Sequence, residues 1–296
     1  MAQAKDRPLP DFDSLWNFDR PAETEQKFRA LLPLAEKSQD TAYFAELMTQ
    51  IARTLGLQQK FDEAEQLLDS VQKLLPEVGA RANVRYLLER GRVFNSSKQQ
   101  PKAMPLFIRA WEESNKFGFD PFAVDAAHMC GIAAPPEERQ GWDLKALARA
   151  EQSSDPKARR WLGSLYNNMG WAYFDAKKYD SALEVFDKAL KCRIDQKQPR
   201  EIRIAQWAVA KTLRYLGKVD SALMIQRSLE KDWEASGEEQ DGYVFEEIGE
   251  CLLSLNRATE AVPYFARAYE FLSKDPWLSR DEPERLARMK TLGQIH

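Results

Sequence analysis

Two histidines, three cysteines and a few close carboxylates are the residues of this 296-residue chain with the means to catalyse a reaction or hold a metal. Asp125, His128 and Cys130 stand close together, the raw material of an imidazole-activated thiol or a mixed-donor metal site. On a helix, spacings of three and two cannot bring all three to one face, and no second cluster offers further ligands. A packed histidine is the expectation there, and His296 has no companions. Glu246, Glu247 and Glu250 have the spacing of an acid/base pair, but nothing in their sequence context would raise a carboxylate pKa by burial. Solvated charge is the simpler expectation. Phosphate-cradling glycine loops, zinc-binding helix motifs and nucleophile elbows are absent from the sequence. The sequence therefore points to no catalytic residue, no metal and no cofactor.

The elements that carry these side chains are helical. Apolar residues make up 44% of the chain, enough for a core, while 30% charged residues and only 13 glycines suit helices with solvated outer faces. Cys130, Cys192 and Cys251 are scattered and odd in number, so they are expected as small core hydrophobes rather than as a disulfide framework. The opening MAQAKDRPLP has no apolar leader core, and no stretch approaches the roughly 18 apolar residues that span a bilayer. A cytoplasmic protein without membrane contact is expected. The net charge of −3 is unevenly spread, with −4 in residues 1–155, +8 in 156–218 and −7 in 219–296.

A period runs through the chain. Ala52, Gly91, Gly170, Ala210 and Gly249 are 39, 79, 40 and 39 positions apart, the 79 being two periods. Twelve residues after each comes an alanine: Ala64, Ala103, Ala182, Ala222 and Ala261. Three after each small residue stands Leu55, Phe94, Tyr173, Leu213 or Leu252, on the same helical stripe. Four after the alanine come Leu68, Phe107, Phe186 and Phe265, with Gln226 instead in the fourth of the five units. Large side chains on one helix thus face small ones on the next, which predicts antiparallel helix pairs stacked into an array.

Tyr166-Asn167-Asn168-Met169-Gly170-Trp171-Ala172-Tyr173, followed by Tyr179, Ala182, Phe186 and Ala189, resembles the tetratricopeptide repeat. The likeness extends over about residues 45–275. It implies an all-α, right-handed α-solenoid of about six helix pairs, with longer helices than the usual 34-residue repeat because the period here is 39 to 40. Such longer variants are similar to the repeats of kinesin light chains and bacterial peptide-sensing regulators. The expected layout is an arm or short first helix over 1–20 and a single solenoid over 21–296. A degenerate unit with a longer internal turn falls near 120–153, where Pro135 and Pro136 interrupt the helix, and a cap helix falls near 283–293. Arg90 and Gln226 depart from the repeat pattern, so their units should pack more loosely.

The resemblance also implies where a ligand would lie, since the first helices of such arrays line a groove. Groove positions fall on Gln50 and Arg53; Glu89, Arg92 and Asn95; Asn167, Asn168, Trp171 and Phe174; Trp207, Lys211 and Arg214; and Glu246, Glu247 and Glu250. An asparagine before the repeat's small residue holds the ligand backbone in peptide-binding relatives, which singles out Asn168. Trp171 and Trp207 would stack on a ligand side chain, or else fill the core between helices. Arg92, Lys211 and Arg214 would attract an acidic peptide. The leading expectation is a non-catalytic module that binds a protein or peptide. The alternatives are polyanion or nucleic-acid binding through the basic 156–218, which a pI near 5.7 opposes, and a signalling-peptide sensor.

Overall fold

In the computed structural model, residues 8–237 and 241–295 are described, so residues 1–7 of the expected arm and His296 lie outside the described part. No strand occurs among the described residues, and none of their helices is long and apolar enough to cross a membrane. The chain divides into two compact units, residues 1–161 and 162–296.

In the N-terminal unit a 3-10 turn, Phe12–Leu15, precedes α1 (Pro21–Ser38). Three helix pairs follow: α2 (Thr41–Leu57) with α3 (Phe61–Leu74), α4 (Ala80–Ser96) with α5 (Gln100–Phe117), and α6 (Asp120–Ala133) with α7 (Pro136–Gln152). A single turn, α8 (Pro156–Arg159), ends the unit. The C-terminal unit pairs α9 (Leu162–Asp175) with α10 (Tyr179–Asp195), α11 (Pro199–Tyr215) with α12 (Val219–Ser236), and α13 (Gly242–Ser254) with α14 (Ala258–Leu272). It closes with α15 (Pro276–Asp281) and α16 (Pro283–Leu292). Loops too short for any other path make each pair an antiparallel hairpin.

The periodic glycines are notches. A methyl group added at Gly91, Gly170 or Gly249 would come within 3.0 Å of the ring of Phe107, Phe186 or Phe265, the residue sixteen positions later. Those three rings are fully buried, as are Ala64, Ala103, Ala182 and Ala222. Without a side chain the first helix lets a whole benzene ring of the second approach its backbone, and the close contact is repaid in dispersion and apolar burial. Cys130 and Cys251 are buried, Cys192 is half-buried, and all three are free thiols.

Each turn from first to second helix uses a left-handed residue seven places after the notch. Gln59, Lys98, Lys177 and Asn256 adopt φ of 61°, 63°, 59° and 59° there, and Gly217 adopts 77°. The 120–153 unit differs. Its turn is only Ala134 and Pro135, shorter than the three-residue turns elsewhere, so the longer internal turn expected from the two prolines is not found. The reason is that Pro136 takes the first helical position, where its fixed φ and missing N–H cost nothing, and Glu137 and Glu138 join it in the first turn. Arg90 pairs with Asp69 at 2.6 Å and lies over the Phe94 ring. Gln226 is fully buried, its Nε2 3.5 Å from the Trp207 carbonyl and its Oε1 without a partner among the described residues.

Candidate functional site

The first helices, α2, α4 and α6 in one unit and α9, α11 and α13 in the other, present the faces on which the sequence places its candidate residues. On α4, Glu89 accepts from Arg53 of α2 at 3.2 Å and from Arg92 at 2.8 Å, and Arg92 reaches on to Asp125 of α6. Gln50 Nε2 also approaches Glu89, at 3.4 Å. In the C-terminal unit Glu247 of α13 accepts from Lys211 and Arg214 of α11 at 3.0 and 2.8 Å. Glu246 and Glu250 take Arg285 and Arg288 of the cap helix α16.

These pairs correct the expectation of solvated groove charge for the 246–250 cluster. Glu246 and Glu247 are buried, Glu247 to 1% exposure, because the neighbouring helix supplies their counter-ions. Burial alone would raise the pKa of Glu247, yet Lys211 and Arg214 outweigh it and hold the carboxyl below its ordinary range. Asp125 follows the same balance, lowered by Arg92 and Arg53 against its burial. Both carboxylates therefore stay ionised inside the array and tie one repeat to the next. Neither is poised as a general acid. His128 is pushed down by burial and lies 5.3 Å from the Trp161 ring, with its Nδ1 lacking a hydrogen-bond partner among the described residues. No metal-holding group of His, Cys, Asp and Glu occurs among the described residues. Burial pushes the thiols of Cys130 and Cys251 up to about 12, which leaves them un-ionised at neutral pH.

Where α9 meets α11 the seam is aromatic instead. The Trp171 and Trp207 rings lie 5.7 Å apart, and Trp207 continues to Tyr243 of α13 at 5.9 Å, its Nε1 donating to the Tyr243 carbonyl at 3.1 Å. Asp241 caps α13 by accepting from the Tyr243 N–H, which sets that ring's place at the helix start. A second row joins Phe174, Tyr215 and Tyr179 with centroids 4.8 to 5.2 Å apart. Trp171 also lies edge-on to buried Phe186 at 5.0 Å, so it serves the core and the face at once. Lys211 sits 4.9 Å from the Trp207 ring and Arg214 4.7 Å from that of Tyr215. Asn167 is half-buried. Asn168 is exposed and makes no side-chain hydrogen bond among the described residues. One helical turn before Trp207 on α11, Ile204 is 44% exposed.

Sequence reasoning grouped Asn168, Trp171, Phe174, Trp207, Lys211 and Arg214, which the structure gathers in one unit, and Arg53 and Arg92, which it places in the other. It missed Ile204, Tyr215 and Tyr243, and it missed the ion-pair rungs. A signal for the rungs was present: opposite charges lie 36 or 33 residues apart at Arg53/Glu89, Arg92/Asp125 and Arg214/Glu247, one period less one or two helical turns.

Comparison with known proteins agrees with the geometry. Models of the tetratricopeptide repeat match residues 163–194 and 208–276. No curated protein matches the chain. Solved structures with this fold include RapI in its apo form, at 12% identity and a TM-score of 0.72, covering 96% of this chain and 78% of that one. Another is a signal transduction ATPase with numerous domains and a tetratricopeptide repeat sensor from Pyrococcus horikoshii, at 15% identity and a TM-score of 0.71. It aligns with 91% of this chain, which spans 42% of its length. NprR in complex with its cognate peptide NprX aligns at 12% identity and a TM-score of 0.50, over 96% of this chain and 81% of NprR. The notched helix pairs and the two matches together make residues 163–194 and 208–276 tetratricopeptide repeats.

Proposed function

We propose that this protein is a non-catalytic interaction module that holds an extended segment of a partner protein on the first-helix face of its C-terminal unit, between α9 and α11. The observation that carries this reading is the contrast along that face. Elsewhere the charges are satisfied by neighbouring helices, whereas the α9/α11 seam offers paired tryptophans, an exposed amide and an exposed isoleucine. Asn168 would donate and accept at once to the ligand backbone, and Trp171, Trp207 and Ile204 would grip an apolar side chain with little loss of rotamer entropy. Lys211 and Arg214 are already engaged by Glu247, so their role is to orient an approaching chain by residual field rather than to form new pairs. NprR, whose structure holds a peptide, shares the fold. Three free cysteines suit a reducing, cytoplasmic setting.

Selection from a displayed peptide library on the intact chain tests the reading. Recovered peptides should lose at least about tenfold in affinity to Asn168→Ala and to Ile204→Glu, both at exposed sites where folding is spared. Peptides that bind both variants undiminished would show that the face is elsewhere.

A further inference from the structure

In the N-terminal unit the first-helix face is already occupied, and its occupant is the chain itself. The Pro10 carbonyl accepts from Tyr43 Oη at 2.9 Å. Phe12, 5% exposed, lies edge-on to Tyr43 and Phe28, with the Arg85 guanidinium 5.3 Å from its ring. Asp13 binds Arg85 of α4 through both carboxylate oxygens, one of them at 3.0 Å from Nη1. Trp16 Nε1 donates to Gln50 Oε1 of α2 at 3.0 Å, and its ring stacks on Phe18 at 4.5 Å. The Arg53 guanidinium lies 5.8 and 5.4 Å from those two rings.

The places used are the repeat's face positions. Gln50 and Arg53 stand two before and one after the small residue of α2, as Asn168 and Trp171 do on α9, and Arg85 stands where Ile204 does on α11. The fit is incomplete, however. An open cavity of about 520 Å³ lies between the arm and the α4, α6 and α8 region, lined by Asp13, Trp16, Phe18, Arg85, Phe122 and Trp161. Phe18 remains 56% exposed. The arm thus leaves solvent-open space along the face it occupies.

We propose that this face is a second segment-binding surface, that residues 10–18 are its resident occupant, and that it takes a partner segment of the same acidic, aromatic chemistry. The motif read is an aromatic followed by an acid, with a second aromatic four residues after the first, as in Phe12-Asp13-Ser14-Leu15-Trp16. Tethering presents the arm at an effective concentration in about the millimolar range, so an incoming segment competes with it and its apparent affinity falls by the fraction of open face. The surface is separate from the α9/α11 seam, and failure here leaves that reading intact.

The test uses the full chain and a fluorescein-labelled peptide of residues 8–20, followed by anisotropy. Asp13→Ala/Trp16→Ala chain, whose arm has lost its two polar anchors, should bind the peptide at least about tenfold more tightly than the wild type does. A control peptide carrying the same two alanines should not bind. A variant that keeps its helical circular dichroism and does not bind overturns the proposal. Hydrogen exchange on the wild type covers the case of a misfolded variant: millimolar peptide should speed exchange across residues 10–18 and the control peptide should not, and no change overturns the proposal. Sedimentation velocity identifies the source of the segment. A wild-type dimer that the double substitution dissociates would replace the partner with the arm of a second copy.

Discussion

Gly170→Ala separates a notch from an ordinary helical glycine by the sign of its effect. In a helix interior, alanine is favoured over glycine by about 0.5–1 kcal/mol, because the glycine backbone loses more freedom on folding. At Gly170 the new methyl would come within 3.0 Å of the Phe186 ring, which is fully buried and held edge-on by Trp171, 5.0 Å between centroids. The fully buried Phe186 ring has no solvent-side space into which to yield, and overpacking of this kind costs about 1–3 kcal/mol. The sum is a net loss of roughly 1 kcal/mol. Gly141 in α7 is the internal control: it is exposed, and nothing lies within 4 Å of the position its methyl would take. Gly141→Ala should therefore gain about 0.5–1 kcal/mol, so that the two sites differ by about 2 kcal/mol. Urea unfolding followed by circular dichroism reads both as shifts of the midpoint in opposite directions. Phe186→Leu, which shortens the offending ring, should couple to Gly170→Ala by more than about 0.5 kcal/mol in a double-mutant cycle. Equal stabilisation at both glycines, or strict additivity with Phe186→Leu, would refute the interlocking of ring and notch.

Glu247→Ala should destabilise the C-terminal unit by about 3 kcal/mol, since it strands Lys211 and Arg214 in a largely buried setting. Because the folded pKa of Glu247 lies below the ordinary 4.5, its stabilisation is complete above pH 4.5 and lost as pH falls through the folded value. Glu247→Gln should correspondingly flatten that part of the acid-unfolding profile, and a variant profile parallel to the wild type would contradict the assignment. Gln59→Gly, Lys98→Gly and Lys177→Gly should each stabilise by about 0.5–1 kcal/mol, as relief of the left-handed backbone exceeds the entropic cost of glycine, and a lower melting temperature at these turns would count against it. With an aromatic disulfide reagent at pH 8, Cys192 should react in the folded protein while Cys130 and Cys251 wait for denaturant, and three equally fast thiols would disprove the burial argument.

The helix pairs, their order and their notches could be read in the residues because each depends on side chains of nearby sequence. Gly170 and Phe186 are sixteen positions apart, a hairpin's reach, so their complementarity is written locally in a periodic code. The shortened turn at Pro135 was misjudged because a proline read as a breaker also begins a helix well. What lay beyond the sequence were contacts between repeats and across them. Whether Lys211 and Arg214 meet a ligand or Glu247 depends on how one first helix leans on the next, and a fully buried carboxylate looks the same in sequence as a solvated one. Asp13 meeting Arg85 across 72 residues is a further step removed. No period predicts it, because the arm is not a repeat, and only the folded face of α2 and α4 brings its partners within reach.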